Sequence, residues 1–174
     1  ERKGYDIPVS KLMDHMDGTF EGGRSKDELK DIAENLPCYN PENCIMCNQC
    51  SFVCPHGDIR PYLLNEEEEK NAPESVKKDL QDSLIKEQLL KFTIGTNFNQ
   101  CTGCGLCAEA CPGKKGEKAL TMVNANEAKT NDYKEKNEYI VKNVTEKKGV
   151  MNKATIKGSQ FSYPKFEFSG ACAG

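Results

Sequence analysis

Two short runs of cysteine constrain what this chain can become. Cys44-Ile-Met-Cys47-Asn-Gln-Cys50-Ser-Phe-Val-Cys54-Pro55 and Cys101-Thr-Gly-Cys104-Gly-Leu-Cys107-Ala-Glu-Ala-Cys111-Pro112 share the spacing C-x2-C-x2-C-x3-C-P. Between them they hold eight of the ten cysteines. Thiols at this density either pair with one another or hold metal. A disulfide framework suits small secreted scaffolds and is a poor match for 174 residues. With 37% hydrophobic residues, part of them cysteine, and no Trp, the chain can afford only a small core gathered around the two runs.

The spacing selects the metal. Structural zinc uses C-x2-C pairs but gives no reason for the third and fourth cysteines of each run, nor for the proline after them. A cubane iron–sulfur cluster needs four thiolates at four corners, and C-x2-C-x2-C-x3-C-P is its bacterial signature. Three cysteines on a tight loop reach three corners of one cube. Small residues such as Gly103, Gly105 and Ala108 let the backbone approach its sulfurs. The fourth cysteine lies on or just past a short helix, where four residues rise by about 6 Å. Cys54 is thereby carried away from the cube of its own run, and in two-cluster proteins of this kind it ligates the other cluster. The expected sets are Cys44, Cys47, Cys50 and Cys111 for cluster one, and Cys101, Cys104, Cys107 and Cys54 for cluster two. Pro55 and Pro112 stop the helices. Ile45, Phe52, Val53 and Leu106 are expected to keep water from the cubes, with Asn48, Gln49 and His56 at the outer shell or surface.

Charge excludes other functions. The formal net charge is −3, and oxidised clusters with their thiolates make it more negative, so no basic nucleic-acid footprint exists. No apolar run approaches a membrane span and no signal peptide is recognisable, so a cytoplasmic setting is expected, or an anaerobic organelle in a eukaryote. The chain starts at Glu1 without Met and stops at Gly174 as if unfinished, so a piece of a longer polypeptide is expected.

The expected fold class is α+β: a bacterial two-cluster ferredoxin-like domain over 38–123, with a helix inserted at about 65–92. Residues 1–37 form an N-terminal arm and 124–174 a linker, both extended. In detail, Tyr5–Ser10 is expected to be extended, and Ser25-Lys-Asp-Glu28 to cap a helix running to Asn35. Residues 58–64 form an edge strand because of Pro61. Glu66–Glu69 reads as a solvated turn. Pro73–Leu90 is helical, with Val76, Leu80 and Leu84 in step. Phe92–Phe98 and Ala119–Val123 are strands. Tyr139-Ile-Val141 docks on the core, and the chain is extended from Gly158. His15 is a surface residue, Cys38 a partly buried free thiol, and the sequon at Asn143 is not used.

The flanking words resemble the two-cluster ferredoxin domain of the pyruvate:ferredoxin oxidoreductase family. They are Asn40-Pro-Glu-Asn-Cys44, Cys47-Asn-Gln-Cys50, Phe52-Val-Cys-Pro-His56 with Ile59-Arg-Pro61, and Cys101-Thr-Gly-Cys-Gly105. Asp17-Gly-Thr-Phe20 and Lys157-Gly-Ser-Gln-Phe161 match in kind. Phe166-Glu-Phe-Ser-Gly-Ala-Cys172-Ala-Gly174 resembles the opening of that family's thiamine-diphosphate domain. The resemblance implies that Cys172 ligates a third 4Fe-4S cluster in the parent enzyme only. It further implies a homodimeric enzyme that uses thiamine diphosphate, Mg2+ and CoA to turn pyruvate into acetyl-CoA. Single electrons would pass through the two clusters held here to an external ferredoxin or flavodoxin. The fragment would be the electron carrier, in contact with the remaining domains of its own polypeptide, and holds no catalytic acid, base or nucleophile. Two other readings compete: a two-cluster module of a different oxidoreductase, and a zinc-stabilised interaction domain.

Overall fold

The computed structural model describes residues 3–19, 30–85, 89–147 and 149–161. Five strands and seven α-helices are described: β1 Asn35–Tyr39, α1 Gln49–Val53, β2 Ile59–Leu64, α2 Glu66–Lys70, α3 Glu74–Lys77, β3 Gln81–Asp82, β4 Lys91–Thr96, α4 Leu106–Glu109, β5 Leu120–Asn124, α5 Ala125–Ala128, α6 Asn131–Asn143 and α7 Ile156–Ser159. This is a small α+β domain.

Two antiparallel ladders organise it. β1 pairs β5, with Tyr39 opposite Leu120, and β2 pairs β4, with Ile59 opposite Thr96. Each cysteine run therefore lies between one strand of each ladder, and the two halves are related by exchange: β1–run–β2 and β4–run–β5. β3 adds to the other side of β4, leaving β2 at an edge. That position tolerates Pro61, which has no N–H to give to a second neighbour.

Strand alternation divides the core. Ile59 and Leu63 of β2, with Phe92 and Ile94 of β4, face the cysteine runs and pack with Met46, Ala108 and Leu120. Tyr62 and Leu64 face the other way, onto Val76 of α3 and Ile140 of α6. Gly95 of β4 lies under the Tyr62 ring, which comes within 2.8 Å of where a Cβ would stand, so the close approach needs glycine. A third cluster of Leu36, Phe98 and Ala128 ties β1 to α5. There the Tyr133 ring stacks on Phe98 at 3.8 Å, and its hydroxyl donates to the Thr96 carbonyl and accepts from the Phe98 N–H.

Several local expectations are corrected. Tyr5–Ser10 is not extended: 3-10 turns run over Gly4–Asp6 and Val9–His15, with no buried residue in either. The helix expected through Asn35 is absent from residues 30–35, because Asn35 opens β1; residues 20–29 lie outside those described. Glu66–Glu69 is helix α2, since Asn65 and Glu68 form a reciprocal capping box. The helix over 73–90 stops at Lys77, because the chain turns to pair Gln81 and Asp82 with Phe92 and Lys91. Leu84, in step on paper, is 62% exposed. Among the described residues, 65–92 thus hold two short helices, the strand β3 and the start of β4. The segment after β5 is folded into α5, α6 and α7, and Gly158–Phe161 is helix and turn instead of extended chain. Ile140 is fully buried as part of the expected dock, whereas Val141 is 42% exposed. Cys172 lies outside the described residues. No helix among the described residues is long and apolar enough to cross a membrane.

Candidate metal centre

The register of the ladders carries each fourth cysteine across to the other run. Cys54 lies five residues before Ile59, and Cys101 lies five residues after its partner Thr96, so continuing the ladder brings the two together. On the other ladder, Cys44 lies five residues beyond Tyr39. Cys111 stands farther from Leu120, but a turn closed by the Lys114 and Glu117 backbones takes up the difference.

Two cavities result. One is lined by Cys44, Cys47, Cys50 and Cys111 together with Tyr39, Phe92 and Leu120. The other is lined by Cys101, Cys104, Cys107 and Cys54 together with Pro37, His56, Asp58 and Met122. Each cavity therefore takes three cysteines from one run and the fourth from the other. Their walls are almost wholly apolar apart from sulfur. Among the described residues, no three His, Cys, Asp or Glu side chains converge closely enough to hold a single metal ion.

The backbone between the cysteines is built for this. Gly103 and Gly105 have φ of 71° and 78°. At the same places in the first run Met46 and Asn48 adopt φ of 56° and 62°, so the loop geometry is imposed even without glycine. It turns N–H groups onto sulfur: Met46 onto Cys44 Sγ at 3.4 Å, Gly103 onto Cys101 Sγ at 3.4 Å, and Ala119 onto Cys111 Sγ at 3.3 Å. The third cysteine of each run lies in the first turn of α1 or α4. Cys54 and Cys111 follow the helix ends, in extended backbone at Cys54, directly before proline.

Burial makes three of these thiols reluctant to ionise. It pushes Cys50 up, with Cys44 and Cys47 adding to the effect. Burial pushes Cys107 up to about 12, with further contributions from Cys101 and Cys54. Cys101 is also raised by burial, opposed by the Gly103 N–H. That Cys54 acts on both Cys101 and Cys107 repeats the crossing seen in the cavities. A cationic core reverses this balance, because a coordinating thiol is deprotonated outright. The residues present fit an iron–sulfur cluster in each cavity.

The surroundings differ from expectation in one respect and narrow it in another. Phe52, 56% exposed, lines neither cavity, whereas Ile45 and Leu106, 42% and 48% exposed, line the first and the second from the rim. Cover comes from Tyr39, Phe92, Ile94 and Leu120 around the first cavity, and from Pro37, Ile59 and Met122 around the second. His56, at 5% exposure, and Asn48, at 2%, are buried outer-shell residues, not surface ones. Ser51, Lys157 and Gln160, which the sequence reading did not single out for the site, join Asn48 in a polar contact beside the first run. The one signal for it was Asn48 standing where the second run has Gly105. Cys38 in β1 is a partly buried thiol, raised first by burial and then by Asp79.

The geometry defines the class: a protein built around two iron–sulfur clusters, and residues 40–115 match the 4Fe-4S dicluster domain family. Over nearly its whole length the chain is homologous to one segment of the pyruvate:ferredoxin and pyruvate-flavodoxin oxidoreductases. It is 47% identical over 173 residues to the pyruvate:ferredoxin oxidoreductase of Moorella thermoacetica, covering 99% of this chain and 14% of that protein. It is 39% identical to the pyruvate-flavodoxin oxidoreductase of Enterobacter agglomerans, again over 99% of this chain and 14% of that protein. It is 38% identical to the mitochondrial pyruvate dehydrogenase [NADP(+)] of Euglena gracilis, over 99% of this chain and 9% of that protein. The chain thus spans about 14% or less of the length of these curated relatives.

Proposed function

We propose that this chain is the internal electron relay of a pyruvate-oxidising enzyme. The observation that carries the reading is the pair of cavities, each ringed by four cysteines in a three-plus-one pattern. Cys44, Cys47, Cys50 and Cys111 would hold one 4Fe-4S cluster, and Cys101, Cys104, Cys107 and Cys54 the other. A cluster so held accepts and releases one electron at a time. The chain's own contribution is to fix eight sulfurs, direct N–H groups at Cys44, Cys101 and Cys111, and line the cavities with apolar side chains.

The relatives' names share pyruvate and differ in the second partner: ferredoxin, flavodoxin or NADP(+). A segment common to all of them fits a relay upstream of the final acceptor. Electrons from pyruvate oxidation to acetyl-CoA would enter from a thiamine-diphosphate centre with Mg2+ and a third cluster elsewhere in the polypeptide. They would leave to ferredoxin or flavodoxin, and the whole enzyme would be a homodimer working in the cytoplasm. The segments 1–37, 38–123 and 124–174 would serve as arm, cluster domain and linker.

Anaerobic iron and acid-labile sulfide analysis, with EPR of the reduced protein, tests the reading. About eight iron per chain is expected, with the signals of two interacting reduced cubanes. Zinc in place of iron, or four iron, would sink it.

A further inference from the structure

The loops of the two runs differ in cover at matching positions, and a later segment lies on the first loop. Around the second run, Cys104 is exposed, a Cβ added at Gly105 would meet nothing within 4 Å, and Leu106 is 48% exposed. At the matching positions of the first run Cys47 is half-buried and Asn48 is 2% exposed, while the third cysteines, Cys50 and Cys107, are buried alike. The polar contacts on Asn48 and on Ser51 of the adjoining helix come from more than a hundred residues later. Asn48 Nδ2 donates to the Lys157 carbonyl at 2.9 Å, and Ser51 Oγ donates to Gln160 Oε1 at 2.8 Å. Phe161 meets Phe92 edge-on with centroids 6.1 Å apart, and Val150 packs on the same cluster.

This segment is built to hold its shape. Thr155 Oγ1 accepts from the Gly158 N–H, and the Asn152 carbonyl lies 2.0 Å from where a Gly158 Cβ would stand, so only glycine closes the turn. Gln160 is itself 7% exposed, so its bond to Ser51 is made away from water. Asn48 keeps the left-handed backbone that its counterpart Gly105 also adopts, but spends a side chain there. Asparagine tolerates that conformation, and its amide is what reaches the segment.

We propose that residues 150–161 form a clamp that keeps water from the first-run cluster and sets its reduction potential apart from that of the second. The proposal rests on the ligation read above. Reduction adds a negative charge to a cluster already carrying four thiolates. Charge added away from water is disfavoured, so exclusion lowers the potential. The clamp thereby fixes a step between two clusters that are otherwise near-copies.

The test uses cluster-loaded protein, Asn48→Gly and Gln160→Ala, redox titrations followed by EPR, and exchangeable-deuteron couplings measured in D2O. Asn48→Gly reproduces the second run's own residue and keeps the backbone. In the unmutated protein the two clusters are expected to differ in deuteron coupling. In each variant the weakly coupled cluster gains coupling and its potential rises, while the other keeps its potential and iron stays at the unmutated level. Unchanged potentials, or both rising together, overturn the clamp. Should a variant shed iron, the unmutated protein still decides: equal deuteron coupling at both clusters overturns it. Protein that assembles no pair of cubane signals sinks the ligation reading and the clamp with it, an outcome distinct from paired cubanes that ignore the clamp.

Discussion

Glu68 joins three parts of the chain. Its carboxylate accepts from the Asn65 N–H at 3.0 Å, closing the capping box of α2, and from the Thr145 N–H and hydroxyl. It also takes the Lys147 ammonium at 2.6 Å, with both side chains nearly buried. Burial alone would raise this carboxyl; the bonds from Lys147, Thr145 and Asn65 outweigh it and hold Glu68 below the usual carboxylate value. A depressed folded value contributes stability that is complete above the unfolded value of about 4.3 and is lost as pH falls through the folded one. Glu68→Ala leaves Lys147 buried without its partner and should cost about 3 kcal/mol at neutral pH. Urea melts of wild type and variant between neutral and acid pH check this: the gap should narrow below the carboxylate range, and a pH-independent gap would refute it. The acidic run looked like solvent-facing decoration from sequence. Asn65 and Glu68 carried the capping spacing all the same, but Lys147, on a segment 79 residues away, had no local mark.

At the scale of elements, β2, β4 and β5 were legible, and β1, β3 and the helices between β2 and β4 were not. β2 showed through Pro61 and an apolar run, and β4 and β5 through apolar runs beside the second cysteine run; their registers then follow from burying one face against the cysteines. The stretch after Pro73 failed because Val76, Leu80 and Leu84 repeat every fourth residue, while the competing choice is settled by β4. Gln81 and Asp82 gain ladder bonds there, and Asp82 meets Lys91 at 2.6 Å. α6 was legible only as the patch Tyr139-Ile-Val141. Ile140 is its deepest residue, packed with Leu64, Ala72 and Val76 behind the sheet and in contact with the site of Gly95. Ile140→Ala should cost about 2–5 kcal/mol. Because that face is opposite the cysteines, the loss should appear in thermal or urea unfolding while the EPR of folded, reduced protein keeps both cubane signals. A variant that loses one cluster without losing stability would show that α6 belongs to the metal centre.

Across the whole molecule the cysteine spacing already implied crossing, and the two ladders give it a mechanical reason: β2 pairs with the strand that leads into the other run. If the crossing holds, each cluster is a staple between the halves, and removing a fourth ligand harms the cluster of the opposite run. Single variants leave open which signal belongs to which run, so paired ones decide. Cys54→Ala combined with Cys104→Ala strikes one crossed site twice, and should leave the other cubane intact with about four iron. Cys54→Ala combined with Cys47→Ala strikes both crossed sites, and should leave neither cubane whole. Ligation within each run predicts the reverse, with the Cys47 pair sparing one cluster and the Cys104 pair damaging both. The mirror pairs, Cys111→Ala with Cys47→Ala against Cys111→Ala with Cys104→Ala, must give the same ordering, because the ladders relate the halves by exchange. Iron analysis and EPR read all four, and agreement between the two mirror tests is what a stapled, two-fold relay requires.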